Sequence, residues 1–135
     1  MDQVTVHLEA DVNPTESEEK VKKALWNLFG DVPTQTKNLH QGAVLTAKAK
    51  GLETLSTFRN VLRRDRIRDA SRKPLFHGLS GDSITFYLNK QVAFAGHVSF
   101  SEATSESPLG PIKVNVQCEN PQELIDWLAP RTTKN

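Results

Sequence analysis

"ITFYLNKQVAFAGHVSF", residues 84–100, separates the fold classes open to this chain. Ile84, Phe86 and Leu88 alternate with Thr85 and Tyr87, the period-two pattern of a strand with one buried face. Asn89-Lys90-Gln91 reads as a turn, and Val92 to Phe100 as a returning strand with a break at Gly96. Two strands joined without a helix do not fit an uninterrupted β-α-β alternation, and so argue against a doubly wound α/β fold.

The flanking segments supply the helices. Val4, Val6 and Leu8 alternate with Thr5, His7 and Glu9 as a first strand. Asn13-Pro14-Thr15-Glu16 offers an N-cap, a first-turn proline and a glutamate three residues after the cap. Val21, Ala24, Leu25 and Leu28 then repeat at helical spacing up to Gly30, which predicts a helix from about Pro14 to Phe29. Thr34 to Lys50 reads as extended with a bend at Gln41-Gly42, Leu45, Ala47 and Ala49 sharing one face. Leu52, Leu55, Phe58 and Leu62 mark a second helix, and Pro74 and Gly78 close the helical region. After a polar loop over 101–107, Ile112, Val114 and Val116 form a last strand, and 121–128 a short helix stopped by Pro130. Trp26 and Trp127, both on helices, are expected to bury against the sheet. The order predicts an α+β chain: one two-layer domain over residues 1–130, a mixed β-sheet with helices packed on one face, and a disordered tail over 131–135.

Composition removes whole classes of function. Among 135 residues, 37% are hydrophobic and 24% charged, as in an ordinary soluble domain. No apolar run approaches the ~20 residues of a membrane span. Met-Asp-Gln-Val has neither the basic region nor the apolar run of a signal peptide, so none is expected. Cys118 is the single cysteine, which excludes an internal disulfide and fits a reducing compartment, the cytoplasm. His7, His40, His77 and His97 are scattered without metal-ligand spacing. Gly78-Leu79-Ser80-Gly81 lacks the GxSxG spacing, and no phosphate-binding glycine loop appears. No catalytic residue, metal or cofactor is expected.

Charge points the other way. The formal net charge is +1, yet six of the seven arginines fall between Arg59 and Arg72. From Arg59 to Lys73 seven bases meet only Asp65 and Asp69, a local +5 against −4 for the remainder. On one continuous helix, Arg59, Arg63 and Arg66 form one stripe and Arg64, Arg68 and Arg72 another. Asp65, Arg66 and Asp69 occupy the continuation of the apolar stripe, so the helix is expected to leave the core after Leu62. The guanidinium group is a planar, bidentate donor suited to phosphate. Arg59, Arg63, Arg64, Arg66, Arg68, Arg72 and Lys73 are therefore the candidate nucleic-acid-binding residues, charge leaving RNA and DNA both open, with Lys90 and Gln91 at the hairpin tip as secondary contacts. Two acids also invite the plainer reading of a solvated, salt-bridged helix, with Asp65 and Asp69 paired to Arg68, Arg72 and Lys73. Phe86 is expected in the core and Tyr87 on an exposed face.

The stretches "ITFYLNKQVAFAGHVSF" (84–100), "RRDRIRDASR" (63–72) and "SPLGPIKVNV" (107–116) together resemble a family of small archaeal proteins regarded as exosome-associated and RNA-binding. The most specific parts are Leu88-Asn89-Lys90-Gln91 with Ala93, Asp69-Ala70-x-Arg72, and Pro108-Leu109-Gly110-Pro111-Ile112; Val92 stands where alanine is commoner. The resemblance implies a fold similar to that of the ribosomal protein that binds 5S rRNA. It also implies RNA rather than DNA, an archaeal cytoplasm and no catalytic residues. The expected function is a non-enzymatic protein that grips structured RNA through its arginine helix, in association with exosome subunits. The alternative is a protein-interaction module, the same helix docking on an acidic partner or on a second copy, with Ile67, Ala70 and Leu75 packing across a homodimer axis.

Overall fold

The computed structural model describes residues 3–103 and 109–132. Its strands are β1 (Thr5–Val12), β2 (Thr34–Asn38), β3 (Ala43–Lys50), β4 (Leu79–Ser80), β5 (Ser83–Asn89), β6 (Phe100–Ser101) and β7 (Pro111–Gln117). Its helices are α1 (Glu18–Phe29), α2 (Glu53–Arg64), α3 (Arg68–His77), α4 (Lys90–Phe94) and α5 (Pro121–Leu128). The sheet runs β2-β3-β1-β7-β5-β4, with β6 also paired to β5. The α+β class and the helix-covered sheet are as expected. The pairings among the described strands are all antiparallel, where a mixed sheet was expected.

Register explains the two layers. Leu45, Ala10, Ile112 and Leu88 align across β3, β1, β7 and β5, and Ala47, Leu8, Val114 and Phe86 form the next row of the same face. These eight side chains are all buried, in one contiguous core with Leu25, Leu28, Phe58, Leu62, Leu75 and Leu124 from the helices. The alternate rows, Thr46-Glu9-Lys113-Tyr87 and Lys48-His7-Asn115-Thr85, lie on the opposite, polar face. Because side chains alternate along a strand, one pattern serves both faces.

Three local expectations fail, each for a tertiary reason. The hairpin over 84–100 is not one. Asn89 ends β5 by accepting the Val92 amide at 2.9 Å on its side chain, an N-cap that starts α4, and only Phe100–Ser101 returns as strand. The first helix starts at Glu18, capped by Ser17, because Asn13 and Glu16 are spent on a tight turn before it. Finally, the arginine helix is two helices. Arg66 adopts φ 58°, its amide bonds to the Arg63 carbonyl, and the Ile67 amide reaches the Leu62 carbonyl. Those two bonds form a Schellman C-cap with arginine in the left-handed position that glycine usually fills. Helical phase is lost there, and with it both expected stripes.

The break lets the core resume beyond Leu62, contrary to expectation: Leu75 is fully buried and Ile67 packs against the core. Of the three residues expected at a homodimer axis, only Ala70 is exposed. At the far end of α3, Gly78 approaches β5 so closely that a Cβ there would lie 1.8 Å from the Thr85 carbonyl oxygen. Of the tail expected from residue 131, Thr132 is hydrogen-bonded to Asp69, while 133–135, like 104–108 of the polar loop, lie outside the described residues. Among the described residues no helix is long and apolar enough to cross a membrane.

Candidate nucleic-acid interface

The nine candidate residues divide by what their charges touch. Arg59 lies at the α5 side of α2, where its Nε donates to the Trp127 carbonyl at 2.8 Å and its guanidinium sits 5.0 Å from the indole ring. Arg72 donates to the Ala129 carbonyl and to Asp126 Oδ1, both at 2.7 Å, and stacks on Phe76. Its side chain is only 15% exposed. These two arginines clamp the C-terminal helix. Charge-assisted bonds to buried carbonyls are among the stronger polar contacts in a fold, so neither guanidinium is at liberty to meet an external anion.

Lys90 is a clearer correction. It is 3% exposed, and its ammonium donates to the Asp11 carbonyl at 2.7 Å, the Leu109 carbonyl at 2.8 Å and Glu16 Oε1 at 2.9 Å. All three of its protons are used. It lies buried at the start of α4, so it is not the phosphate contact expected at a hairpin tip. Burial pushes the Glu16 carboxyl up, but the bonds from Asn13 and Lys90 and the Lys90 charge outweigh this and hold it below its ordinary value. Gln91, next along, is exposed and lines a shallow groove with Lys20 and Phe94.

The remaining arginines stay outside. Arg63 and Arg66 are exposed and Arg68 half-buried, and none has a hydrogen bond or ion pair among the described residues. Arg64 is 57% exposed; its Nε pairs with Asp65 Oδ1 at 3.0 Å and its terminal nitrogen reaches the Gly96 carbonyl. Asp65 also takes His97 Nδ1 at 2.8 Å. Burial acts to raise the Asp65 carboxyl, and the Arg64 and His97 bonds and charges pull it below its usual range. Asp69 is held down chiefly by hydrogen bonds from the Thr132 hydroxyl and amide, with the charges of Arg68 and Arg72 helping. Both acids of the segment thus have partners in the fold. The salt-bridged-helix reading expected these acids on Arg68, Arg72 and Lys73; instead Asp65 pairs with Arg64, Asp69 bonds to Thr132 and Arg72 pairs with Asp126, leaving Arg63 and Arg66 unpaired among the described residues. Lys73 is exposed on α3, beside His77 on the wall of a cleft.

Two exposed aromatics besides Phe76 have basic neighbours. Trp26 is 58% exposed instead of buried, and shares a groove with Lys22 and Lys23. The signal was present, because Trp26 lies off the Val21-Leu25-Leu28 stripe by more than a quarter turn. Phe94 is 39% exposed, with Lys20 Nζ 5.7 Å from its ring centre. Asn27 ties α1 to this segment by donating to the Ala93 and Phe94 carbonyls, and Arg64 ties α2 to it at Gly96. Basic side chains and an exposed ring are therefore joined on one surface by direct contacts. Among the described residues there is no cluster able to hold a metal ion.

Comparison with known proteins gives this surface its context. A family model described as RNA binding matches residues 5–118. A UPF0201 protein of Sulfurisphaera tokodaii is 45% identical over 127 residues, covering 94% of this chain and 88% of its own. One from Saccharolobus solfataricus is 40% identical over 129 residues, covering 96% and 89%. The crystal structure of a UPF0201 protein from Methanococcus jannaschii superposes with a TM-score of 0.84 at 31% identity, over 96% of this chain and 95% of that one. A DUF54 protein from Methanothermobacter thermautotrophicus shares the fold alone, with a TM-score of 0.60 at 17% identity over 95% and 99%. With the model's match and these identities over nearly its whole length, the chain belongs to the UPF0201 family of archaeal proteins, whose family model carries the description RNA binding.

Proposed function

We propose that this protein binds structured RNA through the elbow between α2 and α3, without carrying out chemistry on it. The carrying observation is that Arg63 and Arg66 are exposed and unpaired among the described residues where α2 breaks, beside half-buried Arg68 and a mostly exposed Arg64 that shares Asp65 with His97, while Asp69 is engaged by Thr132. Four guanidinium groups within six residues present a fork of donors to successive phosphates. Lys20 and Phe94, joined to the same surface through Asn27 and Arg64, extend it with a cation and a ring. The family description supplies the choice of RNA over other polyanions. Association with the exosome belongs to the same proposal and is tested by co-elution with the purified assembly.

The test is a salt titration of binding to an RNA hairpin. Neutralising about four phosphates gives a slope of log K against log salt of roughly −3. Replacing Arg63, Arg66 and Arg68 by glutamine weakens binding to every RNA sequence while the melting temperature stays put. A slope near zero, or no binding at low salt, removes the reading and leaves the same surface to an acidic protein partner.

A further inference from the structure

Four phenylalanine rings form a ladder from the core to the surface. Phe29 stacks on Phe58 at 5.4 Å, Phe58 on Phe86 at 5.5 Å, and Phe86 meets Phe100 at 5.8 Å. The first three are buried, but Phe100 is half-buried and lines a cleft of about 750 Å³. The cleft lies between α3 and the outer edge of β5, which is bordered by the two-residue strands β4 and β6 and by the Gly78 carbonyl that accepts from the Thr85 amide. α3 provides the opposite wall through Lys73 and His77, one turn apart and both exposed. Tyr87 and Asn89 line it from β5.

The lining has unspent polar capacity. The Lys73 ammonium, the His77 ring and the Tyr87 hydroxyl have no partner among the described residues, and Asn89 uses its side-chain oxygen on Val92 but not its amide protons. Glu102 also lines the cleft, so an anionic group is disfavoured on its side and favoured beside Lys73. An aromatic floor with a cation and an imidazole on one wall matches one nucleotide. α3 runs from the arginine elbow to this cleft over ten residues, about 15 Å.

We infer that the cleft takes one unpaired nucleobase of the RNA held at the elbow, stacked on Phe100, with Lys73 toward its phosphate and the His77 ring toward its edge. The inference rests on the RNA-binding reading above and deepens it. A base can enter only where it is already splayed out of a helix, so the preferred RNA is a duplex bearing a bulge, loop or single-stranded end.

The experiment compares RNA hairpins with a one-nucleotide bulge or 3′ overhang against the same hairpins with an abasic residue at that position. The wild-type chain binds the base-bearing RNA roughly ten-fold more tightly, the worth of one base stacked on an aromatic ring. Phe100→Leu keeps the apolar packing, abolishes the preference and leaves the salt slope unchanged. If that variant fails to fold, His77→Ala, at an exposed position of the α3 wall, carries the test and reduces the preference several-fold. Equal affinity of the wild-type chain for both RNAs, or an undiminished preference in the folded variant, overturns the cleft while leaving the elbow standing. Loss of the salt slope overturns the elbow instead.

Discussion

The two ends of the basic segment and its middle use the same residue type for opposite purposes. Arg59 and Arg72 meet the carbonyls of Trp127 and Ala129 and so hold α5 on the core. Arg63 and Arg66, between them, meet nothing described. Composition does not distinguish the two sets; position does. Arg59 lies next to the buried Phe58 and Arg72 next to the buried Ser71, at the border where each helix turns toward α5. Arg66 lies at the break itself, where no neighbouring element packs closely enough to offer an acceptor. An arginine cluster is therefore evidence of an anion site only after the guanidinium groups that staple helices together have been subtracted. Lys90 and Gln91 repeat the lesson in two adjacent residues, one buried and one exposed.

If that division is right, mutations should separate stability from binding. The largest effect is expected at Lys90. Lys90→Met strands the partly buried Glu16 carboxylate and two carbonyls, at a cost of about 3 kcal/mol. Chemical denaturation measures it, and RNA affinity of the folded fraction should be unchanged. Arg72→Gln comes next, losing about 1–2 kcal/mol through its bonds to Ala129 and Asp126 with no change in salt slope. Arg63→Gln should do the reverse: unchanged denaturation, and a slope shallower by roughly one. If Arg72→Gln weakened RNA binding at constant stability, the clamp and the interface would not be separable.

The contrast also shows what could be read without coordinates. β1, β5 and β7 were legible because each buries one face, so Val6-Leu8-Ala10, Ile84-Phe86-Leu88 and Ile112-Val114-Val116 alternate. α5 was legible over 121–128 because its signals are local: Pro121 at its start, Leu124, Ile125 and Leu128 at helical spacing, and Pro130 as its stop. The elbow was not, since the position that signals a helix end carries arginine in place of glycine. Nor was the burial of Lys90, whose acceptors come from 79, 74 and 19 residues away. The fate of a cation depends on acceptors that only the finished fold assembles. Exposed Arg63 and Arg64 were within reach of helical projection alone.

Arg66 offers a sharper version of the comparison, with a smaller effect. A non-glycine residue at φ 58° carries a backbone penalty. Arg66→Gly relieves it, and should stabilise the chain by about 0.5–1 kcal/mol while removing one phosphate contact. Higher melting temperature together with a salt slope shallower by roughly one is the expected pair. A glycine variant that is both more stable and equally avid would mean that the arginine at this site serves neither purpose.

The smallest effect concerns Asp65, which restrains Arg64. Its carboxyl is held below its ordinary value, so its contribution to stability is present above that ordinary value and disappears as pH falls through the lower folded one. Asp65→Asn should therefore remove part of the acid-induced loss of stability below about pH 4, a difference of under 1 kcal/mol for so exposed a pair. The same substitution frees Arg64 and adds one unit of positive charge to the elbow at neutral pH. RNA affinity at low salt should rise a few-fold, with a steeper salt slope. An asparagine variant that bound RNA less tightly would assign Asp65 and His97 to holding Arg64 in its binding position, and the elbow would then work by geometry as much as by charge.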